Sequence, residues 1–278
     1  MKELKNEVMA KHTTFKIGGI ADFFLVVDTK EELCNALKTV NHKMIGNGSN
    51  LIISDDGYRG AFIKLGKGFK NIKYNKGNLT VGAGVMISKL LVYCKKNGFT
   101  GLEGLSGIPA TIGGAIYMNA GYTRSIANSV IEVRGITTQG IDFRFKNSNC
   151  LFGYRSSIFQ KTNAVITDVI LKVTKAKPLE VAKNINKLLA RREKTQPINY
   201  PSCGSIFKKA NISVFKGYVI GDIEVSTLCS SFFINKGKGK SKDVVALIKR
   251  IREISKDNLV LEAEIIGDNY ESKYNNNV

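Results

Sequence analysis

The chain has 278 residues, 43% of them hydrophobic, and a formal net charge of +19. That apolar content is enough for a sizeable buried core, and length alone allows one large domain or two modest ones. No apolar stretch approaches the ~20 residues of a membrane span, and the charged start "MKELKNEVMAKHTTF" has no apolar leader segment, so a soluble cytoplasmic protein is expected.

Five cysteines, Cys34, Cys94, Cys150, Cys203 and Cys229, are widely spaced and form no CxxC pair. A disulfide framework is not expected. With His12 and His42 as the two histidines, zinc-ligand spacing is also missing, and no metal site is expected. The positive charge admits a nucleic-acid partner or an anionic small substrate. It is spread over scattered lysines with no aromatic RNA-binding motif or DNA-binding helix pair, which favours a lysine-rich composition with some basic groups kept for a phosphorylated substrate.

In chain order, "ADFFLVV", "KMIG", "NLIIS", "AFIKL" and "LTVGAG" read as strands between Gly-rich turns. "TKEELCNALKTV" (29–40) reads as a helix capped by Thr29, with Leu33, Leu37 and Val40 on one face. "VMISKLLVYCKKNG" (85–98) is a second helix, stopped by Gly98. Strands return in "VIEVRGITT", "IDFRFK" and "AVITDVILKVTKA". After Pro178 the pattern changes to a helix over 179–195, with Val181, Ile185, Leu188 and Leu189 as its apolar stripe. A last helix over 241–255 has Ser241 as N-cap and Val244, Leu247, Ile248, Ile251 and Ile254 inward. "LVLEAEIIG" reads as a closing strand, and the polar "YESKYNNNV" as a fraying end. The whole is α+β, with a boundary near Lys177 and no internal repeat.

Several stretches carry chemistry. In "GNGSN" (46–50), Gly46 and Gly48 permit positive φ, so successive N–H groups can turn on an anion, and Ser49 and Asn50 add donors. Leu51 stands where a dinucleotide fingerprint needs its third glycine, and no Walker lysine follows, so a plain turn competes. "GLSGIPATIGGAIYMNAG" (104–121) is denser, with Gly104, Gly107, Gly113, Gly114 and Gly121 beside Pro109 and Asn119. Read as a long glycine-rich loop, it favours close backbone approach to a ligand. "NKGKGKSKD" (235–243) lacks the first glycine of a P-loop and reads as a solvated basic loop. "GYRSS" offers one Arg fork, whose default role is a surface ion pair. In "YPSCGSIFK" (200–208), neither Ser205 nor Cys203 has a nearby histidine in sequence, so an activated nucleophile is poorly supported. A proton donor at Ser205 would need polarising neighbours such as Glu262 or Glu264, which strand alternation could equally place on a solvent face.

Taken in order, "HTTFKIGG", "GNGSNLI", "VGAGV", "GLEGLSGIPATIGGAIYMNAG", "FGYRSS", "QPINYPSCGSIFK", "IGDIEVST" and "LEAEIIG" span residues 12–267. The set resembles the UDP-N-acetylenolpyruvoylglucosamine reductases (UDP-N-acetylmuramate dehydrogenases), flavoenzymes of peptidoglycan precursor synthesis. The resemblance implies a two-subdomain FAD-binding fold of the vanillyl-alcohol-oxidase type over 1–177, divided near 66, and a C-terminal α+β substrate domain over 178–278. FAD would be held by Gly46, Asn47, Gly48, Ser49, Asn50 and Leu51, and by Gly107, Ile108, Pro109, Thr111, Gly113, Gly114, Asn119 and Gly121. NADPH would reduce the flavin, whose N5 would pass hydride to the enolpyruvyl ether of the UDP-sugar. The resemblance also assigns Arg155 to the enolate charge, Glu262 to acid assistance there, and Ser205 to protonation of the enolate carbon. Charge developing next to a carboxylate calls for preorganised positive partners, and Gly204 would give Ser205 room. Tyr154, Arg192 and Lys208 would bind substrate.

The chain departs from the family pattern at Thr195, where a basic residue is usual, and at Leu228 and Cys229, where a Lys-His pair is usual. There is no room between Val173 and Leu188 for the substrate-capping loop of longer members, so the resemblance is to the shorter, type II subgroup. A monomer with no nucleic-acid or membrane partner is expected. Two readings compete: an FAD-dependent oxidase of small alcohols or sugars on the same fold, and a basic nucleic-acid-binding protein.

Overall fold

A computed structural model describes residues 1–38, 41–255 and 258–267. The last residue of the expected first helix, Val40, and the C-terminal "YESKYNNNV" lie outside the described residues. The chain divides into two compact units, each assembled from separated segments. The first comprises 1–3, 25–46 and 62–191, and the second 4–24, 47–61 and 192–278. The sequence reading divides the chain linearly at 66 and 177, whereas the compact units interleave. Strands Lys2–Val8, Ile20–Val27 and Tyr58–Leu65 each run across the division.

The first unit is built on a five-stranded antiparallel sheet, in the order Asp142–Lys146, Val130–Thr137, Ala164–Lys172, Asn78–Gly82, Ile72–Asn75. The pairing of the central two strands shifts between Ile166 and Asp168, a bulge at Thr167. Val133, Val169, Leu171, Leu79 and Val81 alternate inward to form the core. Helix α1 (Lys30–Ala36) starts where Thr29 Oγ1 accepts the Glu32 N–H at 3.1 Å. Its Leu33 is fully buried, and Leu37, just beyond its end, is also buried. Helix α2 (Ile87–Asn97) begins two residues later than expected and ends at Gly98, φ 62°. Ile87, Leu90, Leu91 and Cys94 give it one apolar face on the core. A short helix, α3 (Ile112–Tyr117), forms inside the stretch read as a long glycine loop. Helix α4 (Pro178–Thr195) starts with its proline in the first turn, where the missing N–H is harmless. Val181 and Ile185 are buried, Leu188 is half-buried, and Leu189 is exposed, so its apolar stripe is narrower than expected. A short strand, Thr174–Lys175, precedes it after Val173 with no inserted loop.

The second unit packs α5 (Ser241–Ser255) on a core of Phe15, Ile17, Ile52, Phe207, Phe215, Ile223 and Phe233. Val244, Leu247, Ile248 and Ile251 point inward, but Ile254 is exposed. Ser241 is the first helical residue rather than the cap. Its Oγ donates to Asp55 Oδ2 at 2.8 Å, and the Lys242 N–H also reaches that oxygen, while Asp243 accepts the Lys240 N–H. A carboxylate from far away in sequence thus meets the positive helix end. Strands Val219–Ile220, Ile223–Val225 and Phe233–Asn235 form an antiparallel sheet. The expected closing strand "LVLEAEIIG" shrinks to Glu264–Ile266, paired parallel with Leu51–Ile53. Upstream of it, Leu261 makes a single bridge to Phe207, and Glu262 and Ala263 form a bend. Their backbones are taken by another segment, which prevents simple alternation of Glu262 and Glu264.

Candidate active site

In the second unit, the segment around Ser205 is pinned on both sides. Ser205 bridges Phe232, and the Ile206 N–H donates to Ser231 O at 2.8 Å. On the other side, Phe207 bridges Leu261, and the Ile206 carbonyl accepts the Glu262 N–H at 2.8 Å. The Glu262 carbonyl in turn accepts Asn50 Nδ2 at 2.9 Å, and the Asn50 carbonyl accepts the Glu264 N–H at 2.9 Å. Three stretches far apart in sequence, 46–50, 200–208 and 259–267, are thereby fixed together at Asn50, Ser205 and Glu262.

Ser205 is half-buried, and its Oγ is hydrogen-bonded to Ser231 Oγ at 3.3 Å. Gly204 has φ 82°, the left-handed region that favours glycine. A Cβ there would meet only Ser49 O, at 3.9 Å. Backbone conformation, rather than room beside Ser205, is therefore what requires the glycine. Cys203 is 1% exposed, and burial pushes its thiol well above the ordinary range, with the Glu262 charge adding to this. A thiol held protonated and enclosed is not a nucleophile. Lys208 is half-buried, its N–H bound to Val260 O.

The "GNGSN" stretch is a turn leading into Leu51 at the strand start. Gly48 is buried with φ 62°, and a Cβ on it would stand 2.3 Å from His12 O. Among the described residues, the N–H groups of Gly48 and Ser49 have no protein acceptor. In the first unit, Gly46 lies against Thr111: a Cβ at 46 would be 2.5 Å from Thr111 Oγ1. Thr111 is buried, and its Oγ1 caps α3 by accepting the Gly114 N–H. The Ile112 and Gly113 N–H groups donate to Val85 O and Ala83 O. The N–H groups at 112–114 are thus already engaged, and this stretch offers close backbone approach rather than a free row of donors. Gly107 has φ 74°, next to Ile108, whose N–H closes a turn on Leu105 O before Pro109.

Asn119 is buried in the left-handed region, φ 43°. Its Nδ2 donates to Gly153 O at 2.7 Å and its Oδ1 accepts the Ala127 N–H, which ties the 119–121 turn to the "GYRSS" turn. In that turn Gly153 and Ser156 pair across Tyr154 and Arg155. Arg155 has φ 51°, strained for a residue with a side chain. Its Nη2 donates to Gly121 O at 3.1 Å, its carbonyl accepts Gln160 Nε2, and its guanidinium stacks 5.2 Å from the Tyr154 ring centre. Tyr154 is exposed. Arg192 lies in the last turn of α4, half-buried.

Residues 21–144 match the family model described as an FAD binding domain. Residues 196–266 match the C-terminal domain of UDP-N-acetylenolpyruvoylglucosamine reductase. The reductase of that name from Halalkalibacterium halodurans is 36% identical over 95% of this chain and 94% of its own length. The one from Bacillus subtilis is 34% identical over 96% and 95%. The chain belongs to the UDP-N-acetylenolpyruvoylglucosamine reductase family. The crystal structure of the Thermus caldophilus UDP-N-acetylenolpyruvylglucosamine reductase superposes with a TM-score of 0.85 and 31% identity, over 96% of this chain and 98% of that one.

Family membership gives the glycine geometry its meaning. The residues present fit FAD: a buried turn with unspent N–H donors at Gly48 and Ser49 suits a diphosphate. A side chain at Gly48 would run into the His12 carbonyl and the Thr13 backbone, so the glycine is what lets this turn take its shape. Sequence reasoning missed Ser231 and Ser226 in the 226–232 turn, and Gln160 behind Arg155. None of these carries a motif; each is found only from its hydrogen bond.

Proposed function

We propose that this chain is the NADPH-dependent flavoenzyme that reduces the enolpyruvyl ether of UDP-N-acetylglucosamine enolpyruvate to UDP-N-acetylmuramate, for peptidoglycan precursor synthesis. It acts as a cytoplasmic monomer, with no nucleic-acid or membrane partner. Residues 1–177 form its FAD-binding part and 178–278 its substrate domain. Bound FAD supplies the reducing equivalents taken from NADPH. The cofactor is held by the turn from Gly46 to Leu51 and by the stretch from Gly107 to Gly121. Tyr154, Arg192 and Lys208 hold the UDP-sugar.

The residues of this chain then do three things. The Arg155 guanidinium meets the negative charge that develops beside the substrate carboxylate, and its planar fork suits two oxygens. Glu262 assists at the same charge as a hydrogen-bonded carboxyl group. Ser205 gives its hydroxyl proton to the carbon next to the carboxylate. The observation that carries this reading is the fixing of Ser205 and Glu262 on adjoining segments through the single carbonyl of Ile206. Among the described residues no helix is long and apolar enough to cross a membrane.

The test is a two-step flavin assay. Protein carrying FAD is reduced anaerobically with NADPH, then mixed with the enolpyruvyl sugar, and flavin absorbance is followed. Ser205→Ala is expected to slow reoxidation by the sugar roughly 10²–10⁴-fold while FAD content and reduction by NADPH persist. Unchanged reoxidation in that variant would remove Ser205 from this role, and a colourless protein that refuses FAD would overturn the whole reading.

A further inference from the structure

We infer that Ser231, oriented by Cys229, is a positioning residue for Ser205: its hydroxyl stabilises the Ser205 oxygen as that oxygen gives up its proton. The inference rests on the role proposed above for Ser205. At rest Ser205 Oγ donates to Ser231 Oγ at 3.3 Å, and Cys229 Sγ lies 3.2 Å from Ser231 Oγ, where either atom can donate. The three polar groups form an unbroken line, all in the second unit.

The line is held by backbone on every side. Ser205 pairs with Phe232, and the Ile206 N–H is bound to Ser231 O. The turn that carries Cys229 and Ser231 closes through the Phe232 N–H on Cys229 O at 3.0 Å and the Ser226 N–H on Phe232 O at 2.9 Å. Ser226 Oγ accepts the N–H groups of Leu228 and Cys229, at 3.2 and 3.3 Å. A side chain on such a turn is placed without a search.

The chemistry requires a partner at that position. When Ser205 protonates carbon, its O–H bond breaks and the electron pair stays on Ser205 Oγ. A serine oxygen carrying that charge needs a hydrogen-bond donor already aimed at it. Ser231 can be that donor, because a hydroxyl rotates and both gives and accepts. Once the Ser205 hydroxyl has turned to the substrate, Ser231 Oγ can accept the Cys229 S–H and turn its own O–H to the Ser205 oxygen. The family pattern has histidine at position 229, so this arrangement belongs to the particular pairing of Cys229 with Ser231 in this chain.

The experiment uses the full-length protein with FAD in the same two-step assay. Ser231→Ala is expected to slow reoxidation by the enolpyruvyl sugar roughly 10²–10³-fold, the loss of one donor to a developing charge. Flavin reduction by NADPH and the melting temperature should stay at parental values. Ser231→Thr, which keeps the hydroxyl, should recover the rate to within about 3-fold. Ser230→Ala, a change in the same turn, should leave both half-reactions unchanged. If Ser231→Ala reoxidises at the parental rate while Ser205→Ala does not, the inference fails and the role of Ser205 stands. If Ser205→Ala also reoxidises at the parental rate, the role of Ser205 fails and takes the inference with it. If Ser231→Thr is as slow as Ser231→Ala, packing rather than the hydroxyl sets the rate, and the inference fails.

Discussion

Gly48→Ala tests most directly whether the 46–50 turn is built for a ligand. Its backbone sits at φ 62°, and an added Cβ would lie 2.3 Å from His12 O and 2.8 Å from Thr13 Cα. Ordinary contacts begin near 3.4 Å, so the overlap with the carbonyl is about an ångström and falls on backbone, which cannot rotate away. Left-handed backbone costs roughly 1–2 kcal/mol with a side chain, and overpacking adds roughly 1–3 kcal/mol. The sum is roughly 2–5 kcal/mol, equivalent to a fall in Tm of roughly 5–15 °C for a chain of this size. Moving the turn also displaces the Gly48 and Ser49 N–H groups, and a loss of about 1.4 kcal/mol in binding is tenfold in affinity. The control is Gly217→Ala, which shares the left-handed backbone at φ 79° but whose new Cβ would meet only Thr227 Cγ2 at an ordinary 3.7 Å, so it keeps the conformational cost of roughly 1–2 kcal/mol without the overlap. Bound flavin per protein and the thermal melt are measured for both variants. Gly48→Ala should lose flavin and melt early, while Gly217→Ala should keep its flavin and show the smaller fall in Tm. A Gly48→Ala protein that keeps stoichiometric FAD and melts within about 2 °C of the parent would refute the reasoning.

Arg155→Lys keeps the charge but not the planar fork, so kcat/KM for the enolpyruvyl sugar should fall roughly 10–100-fold with FAD content unchanged, as read by steady-state kinetics and flavin absorbance. Burial pushes the Cys94 thiol from 9.0 up to about 12 and the Cys150 thiol from 9.0 up to about 11. Both stay protonated in the folded chain while unfolded chain ionises, so each contribution is full below pH 9.0 and is lost as pH rises, ending near 12 for Cys94 and near 11 for Cys150. Urea unfolding across that window should show stability falling by about 1.4 kcal/mol per pH unit for each thiol, and Cys94→Ala should reduce the slope. Asp55→Ala removes the carboxylate that receives Ser241 Oγ and the Lys242 N–H, so it should destabilise the protein by roughly 1–2 kcal/mol in the same unfolding measurement.

Local structure was legible in the sequence wherever one segment settles its own state. Thr29 caps α1 by its own side chain, and Gly98 ends α2. The strands at 130–137 and 164–172 follow from alternation. The sequence reading failed where a distant group took over. Asp55 rather than Ser241 receives the start of α5, so local cap rules pointed to the wrong residue. The bond from Glu262 to Ile206 O ended a strand that looks continuous from Leu259 to Gly267. The glycines at 113–114 read as a loop signal, yet Thr111 and the pairing with 83–85 are enough to hold a short helix there.

The site residues divide along the same line. Gly48 announces itself, because positive φ leaves few alternatives to glycine. Ser205 does not: by its own neighbourhood it is a serine without a base, and the resemblance alone gave it a role. What the structure adds is a reason for the spacing of the motifs. Asn50, Ile206 and Glu262 bind one another through Asn50 Nδ2 to Glu262 O and the Glu262 N–H to Ile206 O, so the segments that carry Ser205 and Glu262 are held by main-chain groups of 206 and 262 together with the Asn50 side chain. Ser205 and Glu262 can therefore be exchanged one at a time without dismantling their support. A loss of rate in either variant reports on the side chain rather than on the fold, whereas Asn50→Ala, which removes a side-chain support from the Glu262 carbonyl, should lower both stability and rate together.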